Sequence, residues 1–565
     1  MKNCFIHGIS FILALIFVIT LFTLPVDSNA LEPLAADPDT AKRFFSEVTS
    51  KLTAGESNID VSGFNFDKDT FVSYMSALYN YEPLSFLIAT NFNYTHNKTI
   101  VTGLQVTNNF SPDLAVMAMS RFKADVNNCI KGIHGDWSDE AKLLYVYDYI
   151  ANNFVYDETL SSSGVYSLIT ERRGVCQSFT LFASAVLTAL GFTHDTVVSE
   201  SINHIWNRVK LGGQWYNIDF TWSNLNVLGN CNHDYFLRSD RDGGLDTDFK
   251  VKHTGDDDWQ AAIYGGDDSE DDIYVNANTV WYDTDTSFVF ANGYWYYLAS
   301  TKKNRTELRR TDDFHMYESL YSFGDYFITD SGSHWSGYWG GIKALGTKVL
   351  FTTATGVHVF DTVSETLIKY IYSYEGPETN AIYGMKDNGD SVSLYIRNYP
   401  PTGGAGSDVN DVESVEFEIP EEYREDAELR NYAEKLQYFY DSERGIRLIF
   451  GVSEGDFPGT LTAALGGYAT NVHDREFSKS AVLTTGSIFR MGRFEYLLSI
   501  PGDTDCDGAV SEKDAAYLLS SMLNPDYFPL VYTQDYDGNG TVNTDDVVYL
   551  NLAAKDPEGH PLKTR

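Results

Sequence analysis

The chain has 565 residues, enough for about three to four domains of ordinary size. Hydrophobic residues make up 43% of it and aromatic residues 15%, which excludes a wholly disordered protein. Asp and Glu number 79 against 41 Lys and Arg, so the formal net charge is −38. This charge argues against nucleic acid as a partner, because a phosphate backbone is bound by clustered Lys and Arg.

The N-terminus has the pattern of a secretory signal peptide. Lys2 supplies a positive start, Phe11–Leu24 is apolar, and Ser28-Asn29-Ala30 has the small residues of a cleavage site. The apolar run is shorter than the roughly 20 residues that cross a membrane. We therefore predict a secreted, extracellular protein with no membrane span after signal removal. Four cysteines remain beyond the signal, and they either form a disulfide or leave one thiol reduced for chemistry.

Changes in composition along the chain predict a multidomain α+β protein. Apolar periodicity predicts helices near Pro38–Leu52 and Ser111–Ile133. The predicted segments are a signal peptide at 1–30, a helical region at 31–135, a compact α+β segment at 136–254, a solvated acidic linker at 255–272, a β-rich region at 273–500 and a small helical module at 501–557.

The β-rich region contains clear turn signals. Asn292-Gly293 separates two apolar runs and predicts a hairpin, and turns at Thr355-Gly356 and Asn388-Gly389 predict two more. The strands look like a meander or part of a propeller, without a clean repeat period. Its aromatic side chains are either sheet core or, as the alternative, a platform for stacking sugars. A helix is expected over Glu425–Ser442, with one face formed by Leu429, Tyr432, Leu436 and Phe439.

The stretch around Cys176 carries the strongest chemical signal. An apolar helix follows it as far as Leu190, and Gly191 ends that helix, which places Cys176 at the first turn. The free N–H groups and the positive dipole end of that turn favour a thiolate. Those N–H groups could also hold an oxyanion. A single Cys on an apolar helix is usually a core residue, so function depends on its neighbours.

A hairpin downstream is predicted to bring a His and an Asp together. Two extended runs meet at Gly212-Gly213, which suits a two-residue turn. If Leu211 pairs with Gln214, His204 and Asp219 lie on one face a diagonal step apart, about 7–8 Å at the backbone. A slip of one residue would put them on opposite faces.

These residues fit nucleophilic catalysis, in which Cys176 attacks a carbonyl, His204 moves the proton and Asp219 holds the His tautomer. They also resemble the bacterial transglutaminase-like superfamily of papain-like cysteine enzymes. The matching text is GVCQSFTLFASAVLTALGF, NHIWNRVKLGGQWYNIDFTWSN and DYFLRSD, with an entry helix at Asp139–Asn153. The resemblance implies the same three residues as a triad acting on protein or peptide amides. Gln177 and the Cys176 N–H are candidate oxyanion donors.

Two twelve-residue loops near the C-terminus have the spacing of calcium ligands. Oxygen side chains occupy loop positions 1, 3, 5, 9 and 12, a Gly at position 6 allows the turn, and position 7 supplies a backbone carbonyl. Two Ca²⁺ ions are therefore predicted, and their binding should drive folding because the clustered carboxylates otherwise repel. The predicted ligands are Asp503, Asp505, Asp507, Ala509, Ser511 and Asp514 in the first loop, and Asp535, Asp537, Asn539, Thr541, Asn543 and Asp546 in the second.

Position 12 is Asp rather than Glu in both loops, and an apolar helix follows each, at Ala515–Leu523 and Val547–Ala553. The duplicated pattern over about Pro501–Asp556 resembles a type I dockerin. This resemblance implies calcium-dependent docking into a cohesin module of a scaffold protein, as in cellulosomes. The usual recognition positions read Glu512-Lys513 and Thr544-Asp545, and because they differ we do not expect symmetric two-way binding.

The leading interpretation is a secreted, cellulosome-associated cysteine enzyme of the transglutaminase-like class. Such enzymes cleave or transfer amide bonds, and the choice between the two stays open. One alternative is a non-catalytic module that binds peptide or glycan. Another is a glycoside hydrolase in the β-rich region, where no convincing carboxylate pair occurs.

Overall fold

A computed structural model describes most of residues 37–562. The undescribed residues are 1–36, 162–163, 225–228, 241–258, 266–268, 302–304, 325–326, 329–333, 336–339, 378–379, 399–409, 443, 472–476, 478–480, 525–534, 537–541 and 563–565. The predicted signal peptide and three predicted calcium ligands, Asp537, Asn539 and Thr541, therefore lie outside the described residues. None of the helices in the described part combines the length and the apolar run that a membrane crossing needs.

The N-terminal region combines three helices with an antiparallel sheet of order β1-β3-β2. Its elements are α1 Pro38–Thr53, β1 Asn58–Asp60, α2 Lys68–Tyr81, β2 Ile88–Asn97, β3 Ile100–Asn108 and α3 Pro112–Ile130. The helices α1 and α3 confirm the two predicted ones. The region is α+β rather than helical, because Phe92 and Val106 pair across a hairpin and bury themselves against the helices.

The next segment packs helices on an antiparallel sheet of order β8-β7-β6-β9. Its elements are α4 Asp139–Asn153, β4 Val155–Tyr156, α5 Val165–Glu171, β5 Arg173–Gly174, α6 Cys176–Ala189, β6 His194–Ser199, β7 His204–Leu211, β8 Gln214–Ile218 and β9 Trp259–Ala261. The helix α4 has the predicted bounds, and α6 begins at Cys176 as predicted. Most side chains of α6 are buried, so the helix forms part of the core around it.

The segment predicted as a solvated acidic linker differs from that expectation in its described part. Trp259–Ala261 forms the edge strand β9 beside β6. Ile263 is fully buried in the N-terminal core, and its N–H donates to the buried carboxylate of Asp195 at 3.0 Å. The short apolar run between the two acidic stretches explains the difference, because it can be buried while the acidic residues stay outside.

The β-rich region consists of successive antiparallel meanders, after the short helix α7 Ile273–Asn276. The strands are β10 Val289–Ala291, β11 Tyr294–Ser300, β12 Thr306–Thr311 and β13 Glu318–Phe323; the pair β14 Phe327–Ile328 and β15 His334–Trp335; β16 Ile342–Leu345, β17 Lys348–Thr353, β18 Gly356–Asp361 and β19 Thr366–Ser373; and β20 Asn380–Asp387, β21 Ser391–Asn398 and β22 Asn410–Glu418. A propeller stays a prediction.

Two of the three predicted hairpins are confirmed, at Asn292-Gly293 and Asn388-Gly389. The third turn lies one residue earlier than predicted, because Thr353 pairs with Gly356 and leaves Ala354 and Thr355 as the turn.

The predicted helix at Glu425–Ser442 is wrong in its second half. The helix α8 covers only Ala427–Ala433, and Gln437–Asp441 is strand β23, paired with β24 Ile446–Phe450. Aromatic residues at 438–440 favour a strand, and the pairing with β24 outweighs the helical apolar spacing. The same mixed sheet is completed by β25 Tyr468–Thr470, β26 Ile488–Met491 and β27 Phe494–Ser499, with α9 Pro458–Leu465 beside it.

The β-rich region shares a core with the segment that precedes it. Trp281, Phe288 and Trp295 are at most 3% exposed and belong to one apolar cluster with Tyr147 of α4. The N–H of Phe288 also donates to the buried carboxylate of Asp148 at 2.7 Å. The two predicted domains are therefore joined by buried contacts.

A helix follows each predicted calcium loop, α10 Glu512–Leu523 and α11 Thr544–Lys555. The two helices bury Leu518 and Leu550 against Tyr536. Cys506 in the first loop is an exposed free thiol, and the other described cysteines, Cys129, Cys176 and Cys231, are free and buried. The described cysteines therefore form no disulfide with one another.

Candidate active site

The first turn of α6 is positioned by the strands before it. Parallel pairing of β4 with β5 ties the end of α4 to the residues that lead into Cys176. The N–H of Val175 donates to the Ser178 hydroxyl at 3.3 Å. A Cβ on Gly174 would lie 2.6 Å from the Ser178 Cβ, so only glycine fits there. Cys176 is held at the helix start with 6% of its surface exposed.

The hairpin has the register on which the prediction depended. Leu211 pairs with Gln214, and Gly212 and Gly213 have φ values of 55° and 89°. His204 Nε2 lies 2.6 Å from Asp219 Oδ2. The His204 imidazole also hydrogen-bonds the side chain of Cys176. The structure thus brings the three predicted triad residues into one chain of contacts, Cys176 to His204 to Asp219.

Asp219 is oriented by backbone N–H groups on its second carboxylate oxygen. Its fully buried Oδ1 accepts from Thr221 N at 2.8 Å and from Trp222 N at 3.0 Å. Its own N–H donates to the carbonyl of Tyr235 at 3.0 Å, which explains why the DYFLRSD segment lies beside the hairpin.

The pKa of His204 is set by two opposing effects, its burial and its contacts with Asp219 and Cys176. Burial alone lowers the pKa of His204, but the charge and hydrogen bond of Asp219, with the hydrogen bond to Cys176, outweigh burial and raise it to about 10. The ring also stacks with the indoles of Trp206 and Trp222, with centroids 5.8 and 4.9 Å away and planes inclined by 19° in each case. The imidazole in this position is therefore charged at neutral pH.

Buried hydrogen bonds join α6 to β7 and so set the distance between the Cys and the His. Asn207 Nδ2 donates to the Ser184 hydroxyl at 2.9 Å and to the Thr180 carbonyl at 3.3 Å. The Thr180 hydroxyl donates to the Ile205 carbonyl at 3.0 Å. Sequence reasoning missed these residues, because polar residues inside an apolar helix give no signal of their partners.

Sequence reasoning also missed the roles of the two tryptophans at His204. For Trp206 a signal was present, since residues two apart on a strand share a face. Trp222 lies after the hairpin, and the turn in which its N–H donates to Asp219 Oδ1 places its indole beside the His204 ring.

The two candidate oxyanion donors are not equivalent. Gln177 Nε2 donates to the Tyr79 carbonyl of the N-terminal region at 3.3 Å. The Cys176 N–H is at the first helical position, where an amide has no acceptor inside its own helix. The Cys176 N–H is therefore the better placed of the two.

The first predicted calcium loop gathers three of its predicted ligands. Carboxylate oxygens of Asp503, Asp505 and Asp507 lie within 4.8 Å of one another. Burial, together with the charge of Asp514, raises the pKa of Asp503 and of Asp505. The site is therefore short of positive charge and rich in hard oxygen atoms, which suits Ca²⁺.

The remaining described loop residues repeat one arrangement. Asp514 Oδ1 accepts from Thr504 N at 2.7 Å and its Oδ2 from Ser511 N at 2.8 Å. Asp546 Oδ1 accepts from Tyr536 N at 2.7 Å, and its Oδ2 accepts from Asn543 N at 2.8 Å. In each loop the Asp at position 12 therefore accepts one N–H from the start of the loop and one from the residue just before the helix. The other described ligands predicted from the sequence are Ala509 and Asp535.

A family model described as the transglutaminase-like superfamily matches residues 128–220. The match covers α4 to α6 and the hairpin, and it contains all three triad residues. This part of the chain is therefore a transglutaminase-like superfamily domain. No protein among the curated ones matches the chain.

Solved structures with similarity to the chain are distant. A transglutaminase, described as a TGase, is 16% identical over 23% of this chain and 44% of its own, with a TM-score of 0.18. A putative cysteine protease from Cytophaga hutchinsonii is 17% identical over 23% of this chain and 61% of its own, with a TM-score of 0.16. The periplasmic domain of TgpA from Pseudomonas aeruginosa is 14% identical over 22% of this chain and 57% of its own, with a TM-score of 0.15. These matches span less than two thirds of each relative, and none of the three TM-scores exceeds 0.18.

Proposed function

We propose that the transglutaminase-like domain makes this chain a cysteine enzyme that cleaves or transfers amide bonds of proteins or peptides. The observation that carries the proposal is His204, which contacts Asp219 at 2.6 Å on one side and Cys176 on the other. The match of residues 128–220 to the transglutaminase-like superfamily model supports the same class of chemistry at the level of the superfamily.

In the proposed reaction the Cys176 sulfur attacks the amide carbonyl carbon as a thiolate. The Cys176 N–H at the start of α6 donates to the oxyanion that forms. His204 gives its proton to the leaving amine, the C–N bond breaks, and a thioester remains on the sulfur. Water or a second amine then attacks the thioester with His204 as base, and the sulfur leaves. Asp219 stabilises the imidazolium throughout.

Selective alkylation tests the ionised sulfur. In a Cys506→Ser background, which removes the exposed thiol, iodoacetamide at pH 7 should label Cys176 faster than it labels Cys506 in the parent protein. The variant His204→Ala should suppress that labelling. Peptide-library assays of the full chain should give amine release that Cys176→Ala abolishes. Labelling of Cys176 no faster than Cys506, together with activity that survives Cys176→Ala, would contradict the proposal.

We also propose that the C-terminal module is a type I dockerin that holds two Ca²⁺ ions and docks into a cohesin of a scaffold protein. The convergence of Asp503, Asp505 and Asp507 supports the first metal site. Secretion and association with a cellulosome belong to the same proposal.

Chelation of calcium tests the C-terminal module. Adding EDTA to the full chain should make residues 501–557 sensitive to limited proteolysis, because the loop carboxylates then repel. It should also abolish cohesin binding. The variant Asp505→Ala should be protease-sensitive in calcium as well. Unchanged proteolysis and cohesin binding in excess chelator would defeat the proposal.

A further inference from the structure

A cavity lies where three parts of the chain meet, and it is separate from the triad. Its volume is about 300 Å³, at the lower end of the ~300–1,000 Å³ typical of ligand pockets. Its wall comes from the start of α4, from the β10–β11 hairpin and from strands β24 and β27 of the mixed sheet. Cys176, His204 and Asp219 do not line it.

One wall of the cavity is a connected set of aromatic rings. Trp137, Phe290 and Trp295 touch one another with centroid distances of 4.6 to 5.3 Å. Trp281 continues this wall and contacts the lining residue Phe314 at 5.5 Å. Within this wall Phe290 is half-buried and Trp137 is 8% exposed, whereas Trp281 and Trp295 are almost fully buried, so the open ring surface comes from Trp137 and Phe290.

Four buried polar atoms of the cavity lining are without a hydrogen-bond partner in the described part of the chain. They are three donors, the indole N–H groups of Trp137 and Trp281 and the Nε–H of Arg447, and one acceptor, the Oδ1 of Asp136. Trp137, Trp281 and Asp136 are 8%, 1% and 7% exposed, and a buried polar group without a partner is costly. A matching ligand must therefore both accept and donate hydrogen bonds.

Both arginines of the cavity lining are paired with a lining aspartate. Arg447 Nε lies 3.5 Å from Asp136 Oδ2, and Arg493 Nε lies 3.2 Å from Asp312 Oδ2. An anionic ligand would have to break these pairs and would face the two further carboxylates of the lining, Glu140 and Asp313. A cation would also leave the two indole N–H groups without an acceptor, since ammonium and guanidinium groups only donate.

We propose that this cavity binds a neutral saccharide unit. Such a ring offers C–H faces for Trp137 and Phe290, and hydroxyl groups that accept from the unpartnered N–H groups and donate to the carboxylate of Asp136. The site would let the chain hold a glycan next to the transglutaminase-like domain, whatever the activity of that domain.

Titration of the full chain with disaccharides tests the proposal. The probes are cellobiose, xylobiose, mannobiose and diacetylchitobiose, followed by calorimetry and tryptophan fluorescence. At least one should bind with one-to-one stoichiometry. The variant Trp137→Phe should weaken its binding about tenfold, because Phe keeps an aromatic ring but has no N–H donor. The matched control is Trp215→Phe, which removes another buried, unpartnered indole N–H that does not line the cavity and should leave binding unchanged.

Further outcomes separate this proposal from its rivals. A substitution at the exposed lining residue, His315→Trp, should block the site without touching the core. Cys176→Ala should bind the saccharide normally, so loss of enzyme activity and loss of this site are distinguishable. Binding of none of the four probes at millimolar concentration indicates a cavity filled only by water and overturns the proposal. Binding of a lysine-rich peptide in place of saccharide, or equal effects of Trp137→Phe and Trp215→Phe, would also overturn it.

Discussion

The ring of His204 has two hydrogen-bonding partners and two stacked indole neighbours. Asp219 contacts Nε2, the thiol of Cys176 contacts the ring, and the indoles of Trp206 and Trp222 stack against it. The orientation of the ring is therefore set by packing as well as by hydrogen bonds. The charge of Asp219 then decides its protonation, because nothing else around it offsets the cost of burial to the same extent.

The His204–Asp219 pair predicts how stability depends on pH. The pKa of His204 is raised to about 10 in the folded protein, above the ~6.5 of an exposed His. The folded state therefore gains stability from the pair below the exposed pKa and loses it as pH rises through about 10. We expect the free energy of unfolding to fall by on the order of 1 to 3 kcal/mol between about pH 7 and pH 10.

Denaturant unfolding at the two pH values, followed by tryptophan fluorescence, measures this fall. The variant Asp219→Asn keeps the shape of the side chain and removes its charge, so its free energy of unfolding should fall less over the same range. A second buried pair, His233 with Asp148, is common to both proteins and cancels in the comparison. Equal falls in both proteins would mean that Asp219 does not set the His204 pKa.

At the scale of elements, the interface between α6 and β7 decides how far Cys176 lies from His204. Cys176, the proposed nucleophile, is on α6 and His204, the proposed base, is on β7, so any sliding of the helix along the strand separates them. Asn207 and Ser184 are both fully buried and bonded to each other across this interface. Their bond, with the two hydrogen bonds of Thr180 to Asn207 and to Ile205, fixes the helix on the strand.

Breaking this bond should therefore affect stability and the active site together. Asn207→Ala leaves the Ser184 hydroxyl buried without that partner, and we expect it to cost about 1–3 kcal/mol of unfolding free energy. Alkylation of Cys176 should slow in the same variant. Ser184→Ala should act through the same bond, so the double variant should cost less than the sum of the singles. Additive costs would show that the two residues act independently.

At the scale of the whole molecule, the β-rich region is part of the structure that supports the domain. Trp281, Phe288 and Trp295 fill the same core as Tyr147 of α4. Burying each such side chain is worth roughly 1.5–3 kcal/mol. Exposing these three side chains would remove a stabilisation comparable with the ~5–15 kcal/mol free energy of unfolding of a typical domain.

We therefore expect the isolated fragment 136–254 not to fold on its own. Near-ultraviolet circular dichroism should show no fixed aromatic environment for it, whereas fragment 37–500 should unfold in one cooperative transition. Assays of the enzyme need the longer chain for this reason. A cooperative transition in fragment 136–254 would show that the shared core is dispensable.

Much of the site could be predicted from the sequence because its signals are local. The start of α6 is marked by the apolar run after Cys176, and the hairpin register by Gly212-Gly213, whose positive φ values only that turn requires. The period of two along a strand then carries His204 and Asp219 to one face. Each step depends on neighbours in the chain, so no knowledge of the fold was needed.

The elements that the sequence predicted wrongly were decided by contacts with other parts of the chain. Residues 437–441 carry a helical apolar spacing and became strand β23 because β24 offered a partner. In the same way, the stretch between the acidic runs was buried because the edge of β6 could pair with β9 and the buried carboxylate of Asp195 could accept from the Ile263 N–H. Such outcomes depend on surfaces contributed from elsewhere in the chain.

The sequence by itself therefore determined the chemistry of the chain: a thiol at a helix start, a His and an Asp in register, and two loops of oxygen ligands. Only the tertiary structure decided what surrounds that chemistry, including the indoles on His204, the shared core and the cavity beside Trp137. The physical reason is range. Turn residues and strand periodicity act over a few residues, while burial is decided between segments far apart in sequence.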